Sequence, residues 1–256
     1  MTIIRLVTWN VASARLPEPD LDAVANVLKD LGPDVVALQE LDRVRERSGG
    51  ADQAAALAEA LGMSSWYAPT MLYDDPVGPS WRPLPEGAQD PGGPACGIGL
   101  LSRLPMEDVD RIVLPAPGWP WSAKRRTREP RVALAGELVL DGRRVTVAAA
   151  HLTNIPGWRA WQLLTLQFRL AARPAPRVLV GDLNLRPISV RVLSLRPLPV
   201  RVWRPVVRGR TFPREAPGRQ LDHVLVAGRG LAARSGRVAE ARVSDHLPVV
   251  VELEPR

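Results

Sequence analysis

RVLVGDLNLRP, residues 177–187, combines a buried strand with polar residues at its end. Its β-branched and aliphatic residues predict a strand, and Asp182 and Asn184 stand where the apolar run stops. Because residues i and i+2 of a strand point to the same face, the pattern predicts that these side chains form one polar pair. The alternative is an ordinary turn after the strand, since Asp and Asn favour turns and Gly181 loosens the backbone.

The composition indicates a folded protein without disulfides or a zinc cluster. The chain has 256 residues, 46% of them hydrophobic, and we predict a single domain over residues 1–256. Its one cysteine, Cys96, excludes a disulfide within the chain, and one cysteine with three histidines offers no zinc-ligand cluster. A bound metal ion would therefore be held mainly by oxygen ligands.

The N-terminal segment, MTIIRLVTWN, contains no long apolar stretch and carries both Arg5 and Asn10. It resembles neither a signal peptide nor a membrane span. We therefore expect a cytoplasmic protein that does not cross a membrane.

Charge is distributed unevenly along the chain. The formal net charge is +7, but residues 1–110 carry −9 and residues 111–256 carry +16. Almost all of the basic residues are arginines. A strongly basic half is suited to contact with phosphate groups, although a solvated arginine-rich surface would have the same composition.

Strand and helix patterns alternate along the whole chain and predict a mixed α/β fold. Runs of β-branched or alternating residues predict strands at 3–8, 34–40, 97–102, 177–182, 222–227 and 247–253. A hairpin is predicted around Asp141-Gly142, with strands at 132–140 and 145–151. Apolar spacing and end signals predict helices at 21–31, 51–61 and 158–172. Residues 73–95, rich in Pro, Gly and Asp, predict a long loop.

Polar residues follow or end most of the predicted strands. Each could be an ordinary turn residue, and a lone histidine at the end of an apolar strand is usually a satisfied core residue. Two histidines among several strand-end carboxylates instead favour acid/base chemistry. The residues are Asn10, Glu40, His151, Asp182, Asn184, Asp222, Asp245 and His246.

Eight short motifs, in this order and at these spacings, resemble those of the endonuclease/exonuclease/phosphatase superfamily. They are TWN (8–10), QE (39–40), GIGLLSR (97–103), REPR (128–131), HLT (151–153), GDLN (181–184), RQLDHV (219–224) and SDHLPV (244–249). The superfamily includes DNase I, AP endonucleases, sphingomyelinases and inositol polyphosphate 5-phosphatases. The resemblance implies an α+β fold, the four-layer α/β/β/α sandwich, with the site at one end of two mostly antiparallel sheets. It also implies a phosphoesterase that depends on magnesium, or alternatively on manganese. We expect the protein to be a monomer.

The resemblance further implies a role for each matched residue. Glu40 resembles the principal metal ligand, assisted by Asn10 and Asp245. Asp182 resembles the group that activates the attacking water, and Asn184 the amide that holds the phosphate. The remaining implied roles are a phosphate or leaving-group contact for His246, orientation of that ring by Asp222, a second phosphate contact for His151 and a backbone-phosphate contact for Arg128.

Three functions remain open at this point. A nuclease is favoured by the basic half and by nine arginines between residues 185 and 219, where Glu215 is the one acidic residue. A phosphatase or phosphodiesterase acting on a small-molecule or lipid-headgroup phosphate is the alternative, although RQLDHV departs from the 5-phosphatase pattern. A catalytically inactive binding domain is disfavoured because every matched polar position is retained.

Overall fold

The computed structural model describes residues 2–15, 20–116, 129–195 and 202–256. In these ranges the chain forms thirteen strands and four α-helices. The strands are β1 (Ile4–Asn10), β2 (Val35–Arg43), β3 (Ser64–Tyr73), β4 (Trp81–Pro83), β5 (Ala95–Ser102), β6 (Met106–Val113), β7 (Val132–Leu140), β8 (Arg143–His151), β9 (Arg177–Asp182), β10 (Trp203–Pro205), β11 (Asp222–Ala227), β12 (Leu231–Val238) and β13 (Val249–Pro255). The helices are α1 (Leu21–Leu31), α2 (Gln53–Leu61), α3 (Trp158–Leu170) and α4 (Pro187–Ser194).

Two sheets form the centre of the molecule. The first has the strand order β12-β13-β1-β2-β5-β3-β4, and the second has the order β10-β11-β9-β8-β7-β6. Neighbouring strands are antiparallel except in two pairs, β1 with β2 and β8 with β9, which are parallel. Four of the polar residues that the sequence analysis selected lie at or near the carboxyl ends of these strands, namely Asn10, Glu40, His151 and Asp182.

The alternation of apolar residues along the strands builds three buried layers. Val35 and Ala37 of β2 face the second sheet, whereas Val36 and Leu38 face α1 and α2. On the outer side of the second sheet, residues such as Leu179 pack against α3 and α4. Both faces of each central strand are therefore buried, as expected for helices packed on both sides of stacked sheets. This arrangement is the predicted four-layer α/β/β/α sandwich.

Local end signals explain where the first two helices begin and end. The Asp20 side chain accepts a hydrogen bond from the Ala23 amide at 2.7 Å, and Gly32 ends α1 with a φ of 58°. Asp52 caps α2 in the same way through the Ala55 amide, so this helix begins at Gln53, two residues later than predicted. The predicted hairpin is also found, because Leu140 pairs with Arg143 across the Asp141-Gly142 turn.

Several elements differ from the prediction. Strand β2 continues past Glu40 to Arg43, and β4 lies within the predicted 73–95 loop. Strands β3, β6 and β12 and helix α4 were not predicted. No helix in the described ranges is long and apolar enough to span a bilayer.

Candidate active site

Three site residues are placed side by side at one edge of the second sheet. In the strand registers, His151 pairs with Asp182 and Asp182 pairs with Asp222. All three are buried. The parallel pairing of β8 with β9 and the antiparallel pairing of β9 with β11 therefore bring an imidazole and two carboxylates to one edge.

Asp182 and Asn184 are linked by a turn and not by strand alternation. Strand β9 ends at Asp182, and Asn184 has a φ of 51°, so the prediction that both project from one strand face is wrong. The Asn184 amide instead donates to Asp182 Oδ1 at 2.9 Å, because a short Asp side chain readily accepts from the backbone two residues on. The Asn184 side chain donates to the Leu152 carbonyl at 2.9 Å, which holds its amide beside the end of β8.

Glu40 is directed into the site by an irregularity in β2. The pairing of β2 with β5 shifts register between Gln39 and Leu41, and Glu40 has a φ of 57°. Such a bulge re-aims a side chain relative to its strand neighbours. Asn10, at the end of β1, donates through Nδ2 to Glu40 Oε1 at 3.1 Å and to Asp182 Oδ2 at 3.2 Å. Asn10 therefore connects the carboxylates of the two sheets.

His246 and Asp222 form a buried hydrogen-bonded pair. The distance from His246 Nδ1 to Asp222 Oδ2 is 2.8 Å. Burial lowers the pKa of His246, but the neighbouring Asp222 carboxylate, helped by Asp182 and Asp245, outweighs it and raises the pKa to about 9. The imidazole is therefore protonated at neutral pH and can donate a hydrogen bond from Nε2.

The loop that carries His246 is attached to β1 by two further contacts. Trp9 Nε1 donates to the His246 carbonyl at 2.8 Å. Ser244 Oγ donates to the Asn10 carbonyl at 2.6 Å and accepts from the His246 amide at 3.2 Å. The imidazole thus keeps a fixed position relative to Asn10.

His151 is held in the opposite protonation state. Arg131 Nη1 lies 3.3 Å from His151 Nδ1. A guanidinium can only donate, so Nδ1 must accept, and the single ring proton is on Nε2. Burial, followed by the charges of Arg131 and His246, lowers the pKa of His151 well below its ordinary value. His151 is therefore a neutral N–H donor, and its Nε2 lies 3.5 Å from Asp182 Oδ2.

Asp182 lies between these groups and has a pKa suited to accept a proton. Burial and the charge of Asp222 raise its pKa to about 7, although His246 and the hydrogen bonds from Asn184 and Asn10 act in the opposite direction. A general base works best when its pKa is near the operating pH. Asp182 can therefore take a proton from a water molecule at neutral pH.

The oxygen atoms around Asn10 fit a hard divalent cation. Glu40 and Asp182 place carboxylate oxygens beside the Asn10 Nδ2 amide group, whereas Asn10 Oδ1 accepts from the Ala12 amide at 3.1 Å. Asp222 Oδ1 is buried without a hydrogen-bond partner. Within the described ranges, one set of three acidic or histidine groups has ligand atoms within 4.8 Å of one another, namely Asp182, Asp222 and His246. The hydrogen bond between His246 and Asp222 already accounts for the closeness of that set. The Glu40 carboxylate, which that hydrogen bond does not involve, is therefore the better candidate for the principal ligand.

Two predicted residues are not joined to this centre by described contacts. Asp245 Oδ1 accepts from Ser244 Oγ at 3.4 Å, and among the described residues it makes no hydrogen bond to Glu40 or Asn10. Arg128 lies outside the described residues. The proposed roles of Asp245 in metal binding and of Arg128 in phosphate contact stay predictions.

Arg131 and Ser244 are site residues that the sequence analysis did not select. Both lie inside motifs that it quoted, REPR and SDHLPV. Arg131 directly precedes the predicted strand 132–140, and this position could have indicated a site residue. Its partner His151 is twenty residues away along the chain, and the β7–β8 pairing brings the two together.

Comparisons with known proteins agree with this fold. A model of the Endonuclease/Exonuclease/phosphatase family matches residues 7–246. Among solved structures, an endonuclease/exonuclease/phosphatase from Beutenbergia cavernae is 26% identical, with a TM-score of 0.71 over 100% of this chain and 72% of that one. The human Nocturnin catalytic domain is 21% identical, with a TM-score of 0.69 over 99% of this chain and 94% of that one.

A third solved structure extends this set. TDP2 from D. rerio, complexed with a single-strand DNA product, is 15% identical, with a TM-score of 0.67 over 99% of this chain and 100% of that one. No curated protein sequence matches the chain. Since the family model covers nearly the whole sequence, including the stretch from Trp9 to His246 that builds the site, the chain belongs to the endonuclease/exonuclease/phosphatase family.

Proposed function

We propose that the protein is a divalent-metal-dependent hydrolase that cleaves a phosphodiester of a nucleic acid by attack of an activated water molecule. The observation that carries the proposal is the placement of Asp182 between a neutral imidazole, a protonated imidazole and the Asn10 amide. A buried carboxylate whose pKa is raised, next to fixed hydrogen-bond donors, is an arrangement suited to hydrolysis of a charged phosphate ester.

Each residue has a distinct role in this mechanism. Asp182 takes the proton of the attacking water. Neutral His151 and the second N–H of the Asn184 amide donate to non-bridging phosphate oxygens. His246, protonated and oriented by Asp222, donates to the phosphate or to the leaving oxygen.

Glu40 and Asn10 would hold the divalent ion, with Asp245 as a further predicted ligand. Magnesium, or alternatively manganese, would neutralise charge that develops on the phosphate oxygens. Solved structures of similar fold include Nocturnin with bound sulfate and TDP2 with a single-strand DNA product, and the second of these supports a nucleic-acid substrate. The cytoplasmic location and the monomeric state remain predictions from the sequence.

A small-molecule phosphatase is the second candidate. The cavity beside Glu40 and His151 has a volume of about 230 Å³, which is small for an extended polymer and compatible with a compact phosphorylated molecule. The basic second half of the chain favours the nuclease, because a small substrate would not need an extended cationic surface.

The test is magnesium-dependent hydrolysis by the purified protein. Single- and double-stranded DNA, RNA, phosphoinositides and nucleotides would be compared, each with added magnesium and with EDTA. We expect cleavage of a nucleic acid that EDTA abolishes. Glu40→Gln keeps the side-chain volume but removes a charge, so it should reduce turnover by about a hundredfold or more and weaken magnesium binding in calorimetry.

Circular dichroism of Glu40→Gln provides the control for folding. Unchanged magnesium binding and turnover in this variant would contradict the metal assignment. Absence of metal-dependent hydrolysis of every substrate would contradict the proposed function as a whole.

A further inference from the structure

A cavity beside the catalytic centre is lined by three arginines and by two glutamates, Glu40 and Glu129. It has a volume of about 230 Å³ and shares Glu40 and His151 with the centre. Residues of β3 and β5, among them Thr70, Tyr73 and Ile98, form another wall. Three arginines complete the lining, namely Arg15, Arg47 and Arg131.

Two of the three arginines are neutralised by protein carboxylates. Arg47 donates two hydrogen bonds to the buried Asp42 carboxylate, at 2.8 and 2.7 Å. Arg131 pairs with Glu129 at 3.0 Å. These two guanidinium groups therefore add little uncompensated charge to the cavity.

Arg15 differs from the other two. Among the described residues its guanidinium has no hydrogen-bond acceptor and no carboxylate within ion-pair distance, and its Nε is buried. The Nε of Arg131, which lines the same cavity, is also buried without an acceptor. Buried N–H groups are normally paired, and a buried charged donor without a partner is costly. The two buried Nε atoms are closed off from the cavity, but Arg15 lines it with a guanidinium that no described acceptor or carboxylate pairs, so this group is free to pair with a ligand anion.

The Tyr73 ring gives the same cavity a fixed aromatic surface. The Arg45 guanidinium lies 3.6 Å from the ring centroid and is itself only 3% exposed. Arg45 donates to the carbonyls of Asp75 and Gly78, at 2.6 and 2.9 Å, so both the arginine and the ring are held in place. An aromatic surface of this kind can contact a sugar or a base.

We propose that this cavity is a substrate subsite in which Arg15 binds a second anionic group, a phosphomonoester carried by the unit next to the scissile phosphate. The inference rests on the proposed function and narrows its substrate class. A cavity of about 230 Å³ is small for a ligand site and suits one compact phosphorylated unit better than a continuing duplex. The substrate is therefore the phosphorylated end of a nucleic-acid strand, cleaved at its terminal linkage.

The test uses dinucleotides that differ only in the terminal phosphate. Thymidylyl-thymidine would be compared with its 5′-phosphorylated and 3′-phosphorylated forms, in magnesium. For the wild type we expect a KM about tenfold lower for one of the phosphorylated forms, because the extra contact adds binding energy. In Arg15→Gln, the KM for the unphosphorylated dinucleotide and the KM for the preferred phosphorylated form should become about equal. Arg15→Lys, which keeps the charge, should recover part of the difference between these two KM values.

Arg234→Gln is the matched control. Arg234 is exposed on the edge strand β12. Its neighbour Ala233 pairs with Leu253, and Leu253 pairs with Ile4. Ile4 is at the opposite end of β1 from Asn10, so Arg234 lies away from the catalytic centre. This variant loses the same charge and should keep the wild-type ratio. Thermal melts of all three variants separate a binding effect from misfolding.

The outcomes distinguish this inference from the proposed function. Hydrolysis of all three dinucleotides with equal KM values, unaffected by Arg15→Gln, would overturn the subsite and leave the nuclease standing. An inositol bisphosphate that is turned over better than the dinucleotides, with loss of that preference in Arg15→Gln, would support the subsite and overturn the strand-end source. If no diester is hydrolysed, the proposed function itself is contradicted.

Discussion

At the scale of single residues, the two active-site histidines differ because their Nδ1 atoms face opposite charges. His246 Nδ1 faces a carboxylate, which favours the protonated ring, whereas His151 Nδ1 faces the Arg131 guanidinium, which excludes a proton there. Asp182 is within 4 Å of both rings. The centre therefore combines one imidazolium, one neutral imidazole and one base, and these groups depend on each other.

This dependence predicts that mutations in the centre are not additive. Asp182→Asn, His246→Ala and Asp222→Asn should each lower kcat for a phosphodiester by about a hundredfold or more, because each removes a positioned proton-transfer or electrostatic group. The double variant Asp222→Asn/His246→Ala should lose less than the product of its single losses. Steady-state kinetics with circular dichroism as a folding control tests this, and full additivity or an active His246→Ala enzyme would contradict the assigned roles.

The sequence predicted which residues are present at the site better than how they contact each other. Glu40, Asp182 and His246 were selected because several carboxylates and two histidines near strand ends together favour acid/base chemistry, and because each lies in a matched motif. The turn at Asn184 is the alternative that the sequence left open, since Asp and Asn favour turns. The Arg131–His151 contact could not be predicted, because it depends on side-chain packing between distant segments.

At the scale of elements, strand prediction succeeded where both faces are buried. The continuous apolar runs of β2, β5 and β9 are unambiguous. Strand β12 lies at an edge of the first sheet and is largely exposed, and β6 lies at an edge of the second sheet and has both exposed and buried residues. Neither strand therefore has a continuous apolar run that would predict it.

Two further elements were missed for local reasons. Strand β3 contains Pro69 next to a register shift, and a proline inside a strand pattern argues against that assignment. Helix α4 begins with Pro187 at its first turn and contains Ile188, Val190 and Val192, which are β-branched and poor helix formers.

Strands β8 and β9 approach each other closely immediately before Asp182. Gly181 has a φ of 142°, and a Cβ atom there would lie 1.9 Å from the Ala150 carbonyl oxygen. Gly181→Ala should therefore destabilise the fold by about 3 kcal/mol or more, because β8 and β9 would have to separate or the backbone would have to change conformation. It should also lower kcat, since Asp182 would be displaced.

Gly87→Ala is the matched control for this substitution. Gly87 also has a positive φ, 74°, but an added Cβ meets no atom within 4 Å. Its cost should be about 1 kcal/mol, from backbone strain alone. Urea unfolding of the two variants measures the difference, and equal losses of stability would show that the close contact with Ala150 does not constrain the site.

At the scale of the whole molecule, the charge asymmetry of the sequence corresponds only in part to the two sheets. The acidic stretch 1–110 supplies β1 to β5 of the first sheet with α1 and α2. The basic stretch 111–256 supplies β7 to β11 of the second sheet with α3 and α4, and also β12 and β13 of the first sheet. The arginines near α4 and β11 are mostly exposed, among them Arg186, Arg191, Arg208 and Arg219. The second-sheet side of the molecule is therefore the one expected to meet phosphates.

Arg219 connects this basic surface to the catalytic centre. Its guanidinium lies 4.8 Å from the centroid of the Phe212 ring, and that ring is 4.7 Å from the His246 ring. An arginine in this position can contact a phosphate of the strand on one side of the scissile bond. The proposed nuclease function therefore predicts that Arg219 contributes to binding through charge, without dependence on base sequence.

Salt dependence separates this prediction from a small-molecule activity. If several arginines contact phosphates, each contact releases counterions, and the affinity for single-stranded DNA should fall steeply between about 50 and 500 mM salt. Arg219→Ala should flatten the slope of log affinity against log salt by about one unit, whereas Arg82→Ala, at an exposed site on β4 in the acidic stretch, should leave it unchanged. Fluorescence anisotropy of the Glu40→Gln protein in calcium measures binding without cleavage. A compact phosphorylated substrate would contact only the catalytic centre and its cavity. It could not produce the steep dependence of affinity on salt that several phosphate contacts produce. A flat response together with turnover of a nucleotide or inositol phosphate would therefore replace the nuclease with the small-molecule phosphatase.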